Sequence, residues 1–422
     1  MDIEVSAFGA IVGLVIAIVM ILRKVPPVYG LMTGALLGGL LGGANIVQTV
    51  DLMIEGAEGI IPPVLRILSA GVLAGILIES GAADKLAKFT VSTFGQKRAL
   101  LALAIATMLL TAVGVFIDVA VITVAPIALA IASNAGLSRL AILLAMIGGG
   151  KAGNVMSPNP NTIAVSDAFD VPLISVMAAG VIPGIFGLIA AYIIAKRISS
   201  RGTAIQPEEV DQTDQQTLPS LATSLLGPLI AILLLALRPL FDIHIDPIIA
   251  LPVGGIAAVV LMGRWRQTNH YIKTGLEKMA PVAILLIGTG TLAGIIENSR
   301  IDAVLIHALE SLGLPAFALA PISGIFMSAA TASTTAGATV ASNVFAATIL
   351  DTGVAALGGA MMIHAGSTVL DHMPHGSFFH ATAGSVAMHV QERLKLIPYE
   401  TIVGFVIAAM ATVTYVVLPW FF

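Results

Sequence analysis

The sequence predicts an all-α polytopic membrane protein made of two inverted repeats. Each repeat is expected to hold about five transmembrane helices and one re-entrant hairpin, with helices broken at the bilayer midplane. Three observations carry this expectation. Of the 422 residues, 57% are hydrophobic and only 10% charged, with a mean hydropathy of +1.00, whereas a soluble domain carries roughly 25% charged residues. Apolar runs approaching the roughly 20 residues that a spanning helix needs recur along the whole chain. A set of glycine-rich motifs also appears twice in the same order, about half a chain apart.

The same composition excludes several functions. With 20 Lys and Arg against 24 Asp and Glu, a soluble surface could not be covered. The net charge of −4 offers no basic field, so no nucleic-acid partner is expected. Cysteine is absent, which removes disulfides, thiolate metal sites and a cysteine nucleophile. Neither H-E-x-x-H nor G-x-S-x-G occurs, and an enzyme is not expected. No cofactor or metal is expected either.

Val5 to Leu22 is the first apolar run. It lacks a basic segment ahead of it and a cleavage site, so it reads as a retained helix rather than a signal peptide. Val25–Ala44, Ile60–Ile78, Ala99–Ala132, Leu140 to about Val165 and Val171–Ala195 follow. The second half offers Leu221–Leu237, Pro247–Met262, Met279–Ile296, Pro315–Leu350, Val354 to about Phe379, and Ile402–Leu418. Placing Arg23 and Lys24 in the cytoplasm puts every one of the 20 basic residues inside except Arg66, Lys151, Arg238 and Arg300. Both termini are then extracytoplasmic, in a bacterial-type inner membrane. This works only if the long runs 99–132 and 315–350 each enter and leave on one side, as re-entrant hairpins do.

Gly71-Val-Leu-Ala-Gly75 with Glu79 and Asp84 recurs as Gly290-Thr-Leu-Ala-Gly294 with Glu297 and Asp302. Gly114-Val-Phe116 recurs as Gly324-Ile-Phe326, and Met146, Ile147, Gly150 and Pro158 as Met362, Ile363, Gly366 and Pro374. By the charge map the first copy exits inside and the second outside, so the repeats are inverted. The expected division is 1–198 for the first repeat, 199–219 for a polar cytoplasmic linker and 220–422 for the second repeat. Inverted repeats place substrate and coupling ion at the midplane, where broken helices free backbone groups.

The polar residues cluster where those breaks are expected. Asp118 lies near the tip of the first hairpin, and a carboxylate at that depth normally faces a cavity or a partner. It reads as a proton acceptor or a substrate-pocket residue. Lys151 sits in Gly148-Gly-Gly-Lys-Ala-Gly-Asn154-Val-Met-Ser157-Pro-Asn159-Pro-Asn161-Thr162, whose glycines and prolines cannot continue a regular helix. Its ammonium could meet a substrate carboxylate or Asp118, or snorkel. Asn154, Ser157, Asn159, Asn161 and Thr162 add neutral donors and acceptors. In the second half, Ser333, Thr334 and Thr335 interrupt the second hairpin, and the second break carries His364, Ser367, Thr368, Asp371, His372 and His375. From Ala303 to Asp371 there is no Lys or Arg, which leaves Lys151 as the obvious buried cation for an anionic substrate. Glu79, Glu297 and Arg66 read as interface anchors at helix ends.

The segments Gly71-Val-Leu-Ala-Gly-Ile-Leu-Ile-Glu-Ser-Gly, Phe116-Ile-Asp-Val-Ala-Val-Ile-Thr-Val-Ala-Pro126 and the crossing ending Asn161-Thr-Ile-Ala resemble the gluconate permease (gluconate:proton symporter) family of the ion-transporter superfamily. The resemblance implies inverted repeats with re-entrant hairpins, an elevator motion, and a homodimer with a scaffold domain and a mobile transport domain in each protomer. It also implies proton-coupled uptake of a small hydroxy-carboxylate such as gluconate. Joined to the residues, this yields the expectation of a symporter. Lys151, Asn154, Ser157, Asn159, Asn161, Thr162, Ser333, Thr334, Thr335, Ser367, Thr368 and the half-helix N-termini would hold the organic anion. Asp118, His364, Asp371, His372 and His375 would couple protons. Asn, Ser and Thr at broken helices suit sodium as well, so a sodium-coupled symporter or a sodium/proton antiporter stands as the alternative.

Overall fold

The structure, a computed structural model, describes residues 5–94, 98–203, 205, 218–299, 304, 307, 311, 313–374 and 376–417. Most of the expected linker, together with Arg300, Asp302 and His375, lies outside the described residues. Among the described residues the regular elements are helices, and five are long and apolar enough to cross a membrane: Ile61–Glu79, Leu173–Arg197, Leu221–Arg238, Trp265–Glu297 and Val390–Val416. The first two apolar runs form shorter helices, Ala7–Leu22 and Pro27–Leu41.

Local chemistry sets the boundaries. Ser6, Ser138, Ser220 and Asp246 each precede a helix and accept a first-turn N–H with a side-chain oxygen, which satisfies one of the orphan donors there. Asn45 and Gln48 form a reciprocal capping box. That box starts Ile46–Gly59, a helix that the hydropathy runs passed over because Gln48, Asp51, Glu55 and Glu58 dilute it. The run Met279–Ile296 is only the apolar part of a 30-residue helix, Thr268–Glu297. The run Val171–Ala195 divides at Gly180 into Leu173–Ala179 and Val181–Arg197.

Both long runs fold back on themselves. The first becomes Ala99–Ala112 and Ile117–Ala135, turning at Gly114 with φ +105°, a conformation open mainly to glycine. The second becomes Leu319–Thr331 and Thr334–Asp351, and here Ala332 takes the left-handed turn at φ 49°. Two further segments are interrupted rather than folded back. Arg139–Asn154 stops and resumes as Pro160–Ala168, and Ala356–Gly366 stops and resumes as Ser377–Ser385. Every residue of Arg139–Asn154 is buried.

Two groups of helices result. In the first, Thr268–Glu297 packs along Ile46–Gly59, Ile61–Glu79 and Pro27–Leu41, and Pro247–Leu261 packs on Ile61–Glu79 and Leu221–Phe241. In the second, Arg139–Asn154 packs on the first hairpin and on Val181–Arg197, while Ala356–Gly366 packs on the second hairpin and on Ile397–Thr412.

The glycine motif repeated in the sequence forms the main seam of the first group. A Cβ on Gly75 would sit 2.3 Å from the Tyr271 carbonyl oxygen and 2.7 Å from the Gly275 nitrogen. A Cβ on Gly294 would sit 2.1 Å from the Leu52 carbonyl oxygen, and Gly290 and Gly56 meet with equal closeness. Thus Gly71 and Gly75 receive Gly275, and Gly290 and Gly294 receive Gly56, a reciprocal contact between antiparallel helices. Backbone-to-backbone packing of this kind needs glycine, because inside a bilayer tight van der Waals contact takes the place of a hydrophobic drive.

Gly75→Ala is therefore expected to destabilise the protein by about 1–3 kcal/mol, the usual cost of overpacking. Gly59→Ala, whose Cβ would meet nothing within 4 Å, serves as the neutral control. Thermal unfolding of both variants in detergent checks this; equal midpoints would show that the seam is loose.

Candidate functional site

Four helix N-termini meet at one place. Pro160–Ala168 starts after the first break, where Asn159 Oδ1 accepts the Thr162 N–H at 3.0 Å. Thr334–Asp351 starts at Ser333, whose Oγ accepts the Ala336 N–H at 3.2 Å. Ile117–Ala135 starts after the first hairpin turn, and Ser377–Ser385 after the second break; neither has a side-chain cap. Residues at all four starts line a cavity of about 160 Å³: Phe116 to Asp118, Asn159 to Asn161, Ala332 to Thr335, and Ser377 with Phe378. Asn154 and Asp371 complete its wall. First-turn N–H groups lack intrahelical partners, and the summed peptide dipoles place roughly half a positive charge at each start. The arrangement brings four helix starts and the carboxylates of Asp118 and Asp371 around one cavity.

A wider cavity of about 730 Å³ shares Phe116, Asp118, Ser333, Thr335 and Ser377 with the small one. It extends along Thr268–Glu297 to Glu277 and Lys278 and reaches Pro26 and Pro27.

The sequence-derived candidates divide by position. Asp118, Asn154, Asn159, Asn161, Ser333, Thr334, Thr335 and Asp371 line the small cavity. Thr162 donates its hydroxyl to Asn159 Oδ1 at 3.2 Å and so supports the wall from behind. Ser367 and Thr368 hydroxyls bond back to the carbonyls of Ile363 and Ala365. Ser157 Oγ and both ring nitrogens of His364 are buried without a hydrogen-bond partner, and neither residue lines the cavity.

Lys151 pairs with Asp371 rather than with Asp118. It is fully buried, and its ammonium donates to Asp371 Oδ1 at 2.5 Å and to the Thr368 carbonyl. His372 Nδ1 lies 3.2 Å away. Asp371 spends its other oxygen on the Thr334 hydroxyl, at 2.5 Å. The contact thus ties the first break to the second break and to the second hairpin. Nor is Lys151 the lone buried cation, since Arg393 is fully buried and bonds both oxygens of Glu400. Arg393 lies in the last turn of the short helix Val390–Leu394 and Glu400 in the first turn of Ile397–Thr412, so the pair closes across a turn, whereas the charge map had assigned Arg393 to the cytoplasmic surface.

Arg66 is likewise more than an anchor. Its guanidinium joins Asp167, at the end of the first broken segment, to Asp246, the cap of Pro247–Leu261. Burial opposes ionisation of Asp246, yet the hydrogen bonds from Arg66 and from the Ile248 N–H outweigh it and hold this carboxyl below the ordinary range.

The comparisons with known proteins agree with this architecture. The chain matches the family profile described as GntP family permease over residues 3–418. It is 62% identical over 411 residues to an uncharacterized transporter of Haemophilus influenzae, covering 97% of this chain and 98% of the relative. A high-affinity gluconate transporter of Escherichia coli is 25% identical over 405 residues, covering 88% of this chain and 90% of the relative. Among solved structures, the YdaH transporter of Alcanivorax borkumensis superposes with a TM-score of 0.68 at 14% identity, covering 90% of each chain. That likeness is one of fold.

The buried pair makes a direct prediction. Asp371→Asn leaves the Lys151 ammonium uncompensated and is expected to cost about 3–5 kcal/mol, whereas Lys151→Met with Asp371→Leu should recover most of that loss. Unfolding of purified single and double variants in detergent decides it. A single variant as stable as the unmodified protein would mean that the pair is not closed in solution.

Proposed function

The chain belongs to the GntP permease family, and from that premise we propose that this transporter is a proton-coupled symporter of a small hydroxy-carboxylate of the gluconate type. One observation carries the reading: the four helix N-termini that converge on the small cavity. Their amides favour a carboxylate, while Asn154, Asn159, Asn161, Thr334 and Thr335 present the neutral donors and acceptors that suit hydroxyls. Asp118, which reaches both cavities, accepts hydrogen bonds from substrate hydroxyls. Asp371 lies in the wall and His372 behind it, and through them the site exchanges protons.

The transport cycle in this reading is elevator-type alternating access. The two halves, 1–198 and 220–422, are inverted repeats, each with five spans and a re-entrant hairpin. The matching order of hairpin and broken segment in the two halves supports this, as do the reciprocal antiparallel glycine contacts. Helices of the first group form the scaffold; the hairpins and broken segments move. With Arg23 and Lys24 in the cytoplasm, both termini are extracytoplasmic and the wide cavity opens inward past Lys278. The Arg66 bridge to Asp167 then closes the outer side by holding the mobile group to the scaffold. The protein resides in the bacterial inner membrane as a homodimer.

Purified protein in liposomes, preloaded with unlabelled acid, is expected to exchange it for labelled gluconate. Hexanoate, which lacks the hydroxyls, is expected not to compete. Asp118→Asn should lower kcat/KM by roughly 10–150-fold, the worth of a hydrogen bond to a charged group at about 1.5–3 kcal/mol. Exchange of hexanoate as fast as gluconate, or an unaffected Asp118→Asn variant, would contradict the reading.

A further inference from the structure

Behind the cavity wall, five buried side chains form one connected group. Lys151, Asp371, His372, Glu400 and Arg393 are each at most 3% exposed. His372 Nδ1 lies 3.1 Å from Asp371 Oδ1, 3.2 Å from Lys151 Nζ and 3.8 Å from Glu400 Oε2. Its Nε2 lies 3.1 Å from the Ile397 carbonyl and 3.2 Å from Thr401 Oγ1. The groups that face this ring are therefore Asp371 from its own segment, Lys151 from Arg139–Asn154, and Glu400 from Ile397–Thr412. Arg393 reaches it only through Glu400.

The fixed charges are two cations and two anions. With His372 neutral the group sums to zero, the state that costs least to bury. The ring can nevertheless take a proton by exchanging one hydrogen bond for another: Nδ1 gives up the one from Lys151, whose ammonium keeps Asp371 and the Thr368 carbonyl, and gains one to Asp371. In the neutral form Nε2–H donates to the Ile397 carbonyl and Nδ1 accepts from Lys151. When Nδ1 gains a proton, it donates to Asp371 Oδ1 and faces Glu400, while Nε2–H stays in place. The group then carries one net positive charge, and Asp371 is at once its member and part of the cavity wall. Asp118 faces the cavity from outside this group, at the mouth shared with the wider cavity and in the first turn of its helix, where the helix start offsets its charge.

A single negative charge in the cavity and a single proton on the ring thus stabilise each other, and either one alone leaves an uncompensated charge in a low-dielectric interior. Resting on the symporter reading above, we propose that His372 is the proton-loading residue and that the transported species is a monoanion carried with one proton, so that the cycle moves no net charge.

The test uses the unmodified protein in liposomes, with gluconate as probe. A pH gradient alone, with the membrane potential clamped at zero, is expected to drive accumulation approaching about tenfold per pH unit, the ceiling for one proton per anion. An inside-negative potential alone is expected to drive none. Accumulation under the potential alone, with the pH gradient still effective, overturns the inference and leaves the symporter reading standing; none under the pH gradient removes both. Absence of exchange for any hydroxy-carboxylate removes that reading and the inference with it. His372→Gln, which keeps a hydrogen-bonding side chain but cannot load the proton, is expected to exchange gluconate yet not accumulate it; pH-driven accumulation by this variant also overturns the proposal.

Discussion

A peptide group released from a helix inside hydrocarbon has no water to turn to, and each one left unpaired costs several kcal/mol. This constraint shapes the two broken segments more than any side-chain preference. Asn159 folds back on both the carbonyl and the side chain of Asn154, at 2.7 and 2.6 Å, and so spans the first break. The second break is stitched from outside: Lys151 donates to the Thr368 carbonyl, one of the groups that the end of Ala356–Gly366 leaves free. A cation from one half of the chain thus repairs the backbone of the other, and the two breaks hold each other open around a common cavity.

This has an electrostatic consequence. Lys151 is already occupied by Asp371 and the Thr368 carbonyl, so in the proposed reading attraction for an anion passes to the backbone, as the N-termini of four helices. Fixed amides in a dry site need no reorganisation when charge arrives. Arg66 shows the opposite choice at its own site. Its side chain is 25% exposed, and a bridge that water can reach breaks more readily than the sealed pair at Lys151. In the proposed cycle, an interaction that opens each time belongs at such a place.

The all-helical membrane character was legible because hydropathy and glycine spacing are local or periodic signals. The repeated motif around Gly71–Gly75 and Gly290–Gly294 marked a real seam, and the Pro158 and Pro160 pair marked a real break. Polar residues near those marks, Asp118, Asn154, Asn159 and Thr334 among them, came out on one cavity because the hairpin tips and breaks must share whatever polar space the interior holds. What stayed hidden was pairing across distance. Lys151 and Asp371 are 220 residues apart, and no spacing rule links them. The exclusion of His364 from the cavity was equally invisible, since which face of a buried helix meets the cavity depends on tertiary packing. Ala332 carries no glycine signal for its left-handed turn, and such strain in a non-glycine residue is a mark of functional sites that only coordinates reveal.

In the proposed reading, backbone amides at four helix starts hold the transported carboxylate. The most direct measurement is a structure of the protein in a lipid environment with gluconate bound. Carboxylate oxygens are expected within hydrogen-bonding distance of first-turn amides at Ile117–Ala135, Pro160–Ala168, Thr334–Asp351 or Ser377–Ser385, with the Lys151 to Asp371 contact intact. A carboxylate seated on Lys151, with Asp371 displaced, would contradict it.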